Sequence, residues 1–71
     1  MTEQIVDERG NACDVLFVRA SKHGTQVGVG YSLSNPTMWF VYDREEESAK
    51  WAKRYGPYDY YELAVERIHT L

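Results

Sequence analysis

A chain of 71 residues, 44% hydrophobic and 27% charged, has the balance of a folding domain rather than a disordered tail, and residues 1–71 are read as one domain. Eleven acidic against eight basic side chains leave a formal charge of −3, which argues against a nucleic-acid partner, and no apolar run approaches the roughly 20 residues of a membrane helix. The single cysteine, Cys13, excludes a disulfide framework; with no charged-then-apolar leader behind Met1, a cytoplasmic site in a bacterium or a phage-infected cell is expected.

Ile5-Val6, a polar turn through Asp7–Asn11 and the run from Ala12 to Ala20 read as a β-hairpin. Its second strand is apolar on both faces in the middle, as in a central strand. Residues 21–24 turn the chain, and 26–33 then alternate, with Val27, Val29, Tyr31 and Leu33 on one face and Gly28, Gly30 and Ser32 on the other. A strand face so bare implies a close neighbour. After the break at 34–37, Met38–Tyr42 carries the aromatic and β-branched content of a fourth strand.

From Asp43 the pattern favours a helix. Asp43 can cap it with Glu46 as capping-box partner, Glu45–Glu47 suit the positive end of the dipole, and Gly56-Pro57 stops it. Residues 60–71 fit either a helix, through Tyr61, Val65 and Ile68 with an Asp59/Glu62 capping box, or a strand. The like charges of Glu62 and Glu66 one turn apart tip the reading to a strand. The expected class is therefore α+β: a mostly antiparallel sheet of four to five strands with one helix, in the order β-β-β-β-α-β, able to curl into a partial barrel.

One short helix covers only one face of such a sheet, while apolar side chains occupy both faces of several strands. Either the sheet closes on itself or an aromatic patch stays exposed as a contact surface. Tryptophan and tyrosine are enriched where binding energy concentrates, so Trp39, Tyr42, Trp51, Tyr55, Tyr58, Tyr60 and Tyr61 are the candidate binding residues. The expected function is a protein-binding module, such as an adaptor, a regulatory inhibitor or a phage-type host-takeover protein. Its partner would be another protein or a second copy of the chain.

Chemistry-bearing motifs are sparse. The glycines of 24–30 lie within an alternating strand and not before a helix, so they do not form a phosphate loop. Cys13, His23 and His69 have no spacing that marks a nucleophile with its base or a zinc site, so neither catalysis nor a cofactor or metal is expected. Two alternatives draw on charge. Lys50, Lys53 and Arg54 beside the tyrosines of 55–61 suggest a single-strand nucleic-acid platform. Asp43, Glu45–Glu47, Asp59, Glu62 and Glu66 suggest partial DNA mimicry along one acidic edge.

Overall fold

The computed structural model describes residues 1–71 and has the element order β-β-β-β-β-α: β1 Glu3–Asp7, β2 Ala12–Ala20, β3 Gln26–Ser32, β4 Asn35–Arg44, β5 Trp51–Tyr58 and α1 Tyr61–Thr70. The α+β class and the antiparallel sheet are as expected. Each strand pairs antiparallel with the next, and a short parallel contact, Val6 with Trp51 and Asp7 with Ala52, joins β5 back to β1. The result is an irregular ring of hydrogen-bonded strands rather than a regular barrel.

The turns follow from local chemistry. Asp7 Oδ1 accepts hydrogen bonds from the amides of Arg9 (2.8 Å) and Asn11 (2.9 Å), which folds the β1–β2 connection around Gly10, at φ 81°. Ser21 Oγ does the same for the amides of His23 and Thr25 in the β2–β3 turn. On β3, Gly28 and Gly30 meet the backbone of β2 so closely that an added Cβ would lie 2.8 Å from Phe17 Cα or Val15 Cα. The bare strand face does have its close neighbour, the adjoining strand of a strongly coiled sheet.

Two expectations are corrected. The helix read from Asp43 to Tyr55 is instead the end of β4, a loop over 45–50 and β5. Asp43 pairs with Lys53, Tyr42 with Arg54 and Val41 with Tyr55. Capping signals are local and weak, whereas this pairing buries Ala52 and completes the ring. Arg44 is drawn inward at the same place: its guanidinium donates to both carboxylate oxygens of Glu3 (3.0 and 3.1 Å) and lies 3.6 Å from the centre of the Phe17 ring.

The strand read over 60–71 is α1, with Tyr60 as N-cap and no side-chain cap. The Glu62/Glu66 repulsion costs a few tenths of a kcal/mol on an exposed face. Burying Ile68, with Ala64, gains about 2 kcal/mol or more, and the larger effect decides.

Ring closure and helix cover share the apolar surface between them. Inside the ring lie Ile5, Cys13, Val15, Phe40, Tyr42 and Ala52, with Phe17 and Met38 against them. On the outer face of β3 and β4, Val27, Val29 and Val41 pack under Ala64 and Ile68. The carboxyl end of α1 is tied down where Arg19 Nη2 donates to the Ile68 carbonyl at 2.7 Å.

Candidate functional site

A helix of ten residues is about 15 Å long, whereas a ten-residue strand such as β4 runs about 33 Å. The helix therefore shelters only part of the outer face. Around its first turn the less covered portion carries an aromatic row, in which Tyr31 and Trp39 are half-buried. Trp39 of β4 stands edge-on to Tyr31 of β3, with ring centres 5.9 Å apart at 84°, and to Tyr61 of α1, at 5.0 Å and 72°. Register extends the row across the sheet: Asp14 of β2 is the cross-strand partner of Tyr31, and Tyr58 of β5 that of Trp39. Tyr61 (42% exposed), Leu33 (43%) and Tyr60 (65%) open to solvent around it. A shallow depression of about 410 Å³ between β5 and α1, lined by Tyr58, Leu63, Glu66, Arg67 and Thr70, continues the patch along the helix.

The structure brings Trp39, Tyr58, Tyr60 and Tyr61 to this region and separates the other candidates from it. Tyr42 is a correction: it is completely buried inside the ring, because closure turns that face of β4 inward. Its hydroxyl has no hydrogen-bond partner there, and burial pushes its ionisation far above the ordinary tyrosine range. Trp51 is 53% exposed, but at the β1–β5 seam beside its register partner Val6. Tyr55 is half-buried, with Lys53 Nζ 5.4 Å and the Arg67 guanidinium 5.5 Å from its ring centre.

Tyr31, Leu33 and Asp14 were not among the residues singled out in the sequence. Tyr31 and Leu33 share the alternating face of Val27 and Val29, which reads as core throughout, and only the shortness of the helix exposes its far end. Register alone places Asp14 beside Tyr31.

The residues behind the charge-based alternatives fall in different surroundings. Lys53 faces outward on β5, whereas Arg54 turns inward, 3.3 Å from the buried carboxylate of Asp7 and 4.4 Å from the Phe40 ring centre. Of the acidic residues, Asp43 is half-buried on β4 opposite Lys53, Glu45–Glu47 lie in the β4–β5 loop, and Asp59, Glu62 and Glu66 lie before or on α1.

Among the chemistry-bearing residues, Cys13 is sealed in the interior, where its thiol donates to the Asn11 carbonyl and burial raises its ionisation. His23 and His69 are exposed, in the β2–β3 turn and the last turn of α1 respectively. No group of three or more His, Cys, Asp or Glu side chains is placed to hold a metal ion, and no helix is long and apolar enough to cross a membrane.

A second depression, of about 390 Å³, opens at the end of the ring near Asn11, Ser32, Ser34 and Arg54. Most of its polar groups are engaged within the chain, Asn11 and Arg54 with Asp7, Ser32 with Ser34 and Asn35 with Thr37, while the Arg9 guanidinium at its rim has no partner. No protein-family profile, curated protein or solved structure matches the chain.

Proposed function

We propose that the protein acts by binding another protein through the Tyr31–Trp39–Tyr61 row and the exposed Leu33 and Tyr60 around it, and not by catalysis. The observation that carries this reading is the cluster of three edge-packed rings at the end of the sheet face that the helix covers least, with Tyr61 and two further large apolar side chains, Leu33 and Tyr60, exposed at its border. Such rings offer much contact area for few rotatable bonds, and an apolar centre with a polar rim is the anatomy of a specific interface. A role as adaptor or regulatory inhibitor, in a bacterial or phage setting, fits a small domain with one such face.

A peptide-display selection tests the proposal. The wild-type chain should enrich peptides that a Tyr31→Ser/Tyr61→Ser variant, confirmed folded by circular dichroism, fails to retain. Equal enrichment by both proteins, or none by either, would sink the reading. Light scattering at micromolar concentration separates self-association through the same row from a monomer that takes a foreign partner.

A further inference from the structure

We infer that the row takes a cationic side chain, the ammonium or guanidinium head of a lysine or arginine carried by a basic peptide segment of the partner. This rests on the binding face proposed above and gives the chemistry of what it binds. The first ground is how the chain uses its own cations. The ring of Phe17 carries Arg44, Phe40 carries Arg54, and Tyr55 carries Lys53 and Arg67. Tyr31, Trp39 and Tyr61 carry none, although tryptophan has the strongest cation-attracting face of the aromatic side chains. No Lys or Arg occurs in 10–18, 23–43 or 55–66, the stretches that supply every residue of the row and its border.

The second ground is an independent set of uncommitted charges. Glu3, Asp7 and Glu8 are engaged by Arg44, Arg54 and the Arg54 amide. Asp14, Asp59 and Glu62 make no ion pair within the chain, as is true of Glu45, Glu47 and Glu66 elsewhere, but the first three adjoin the row in register or sequence. Asp14 stands opposite Tyr31, and Asp59 and Glu62 bracket Tyr61 in sequence.

The positive end of the helix dipole, equivalent to about half a charge, opposes a cation here, but Asp59 and Glu62 outweigh it with two full negative charges. The three rings lie in one cluster, with centres 5.0 and 5.9 Å apart, and a cation is attracted to a ring face within roughly 6 Å of its centre. An acidic or purely aliphatic segment would leave these three carboxylates facing like charge or nothing.

The selected peptides give the test. Those retained by the wild type and lost by the Tyr31→Ser/Tyr61→Ser variant should share a lysine or arginine at a fixed position. Replacing that residue with an uncharged isostere of equal bulk should weaken binding about three- to thirty-fold, followed through Trp39 fluorescence in a Trp51→Phe background. Asp14→Asn and Glu62→Gln should each weaken it a few-fold at low salt and little at high salt. Ring-dependent peptides without a shared basic residue, or an isostere that binds as tightly, would overturn the cation and leave the binding face standing. If no peptide depends on the rings, both fall.

Discussion

β3 and β4 carry one outer face with two fates. Over Val27, Val29 and Val41 it is sealed by Ala64 and Ile68; over Trp39, at the edge of that cluster, and Tyr31 it is half-covered, and at Leu33 it is exposed. Composition differs accordingly. The covered half is aliphatic and β-branched, suited to close packing under a helix, whereas the open half is aromatic, with polar edges that tolerate water. Stability and recognition are thus expected to reside in adjacent stretches of the same strands, and substitutions should separate them.

The largest effect is expected in the sealed half. Ile68→Ala removes a fully packed side chain from a cluster of only five buried residues, and urea denaturation should show a loss of about 2–4 kcal/mol. A loss below about 1 kcal/mol would mean that the helix contributes little and that the two halves do not differ.

Next comes the polar latch at the β1–β2 turn. Burial works against the ionised Asp7, but the amides of Asn11 and Arg9, the Asn11 side chain and Arg54 outweigh it and hold the carboxyl below its ordinary value. The Arg44 hydrogen bonds lower Glu3 in the same sense. The unfolded chain takes up these protons at higher pH than the folded chain. The stabilisation is therefore complete only above roughly pH 5, beyond the unfolded values, and is lost as pH falls through the lowered folded values. Urea midpoints should fall below about pH 5 in the wild type and less steeply in Asp7→Asn; parallel profiles would remove Asp7 from this role.

A smaller effect separates buried from exposed rings. Tyr42→Phe deletes a hydroxyl that has no partner inside the ring, so stability should hold or rise by up to about 1 kcal/mol, with peptide binding unchanged. A clear loss of stability would show that the hydroxyl is satisfied, with the neighbouring Cys13 thiol as the first candidate partner.

These contrasts bear on what the sequence could disclose. The hairpin over Ile5–Ala20, the alternating third strand and the fourth strand were legible because period-two patterning and turn residues agree there. The second half was not. Asp43, Glu46 and the acids between them imitate a helix start, yet Arg44 is needed inside the ring against Glu3 and Phe17. The 51–58 segment pairs with β4, and neither requirement is visible in a local window. Likewise Trp39, Tyr58, Tyr60 and Tyr61 could be named as candidates from residue type alone, but the burial of Tyr42 and the placement of Tyr31 and Asp14 beside Trp39 follow only from the register that sets inside against outside.

The smallest stability effect carries the most functional weight. Tyr61 lies in the first turn of α1, is 42% exposed and packs edge-on with Trp39, so Tyr61→Ala should cost no more than about 1 kcal/mol. Its effect on peptide binding should be at least tenfold if the ring is an anchor, since truncating an interface hot spot costs about 2 kcal/mol or more. Ile68→Ala should do the reverse at temperatures where it stays folded, lowering the urea midpoint while leaving affinity near the wild-type value. If Tyr61→Ala destabilises the fold as much as it weakens binding, the exposed rings are structural after all, and the open half differs from the sealed half only in how completely it is packed.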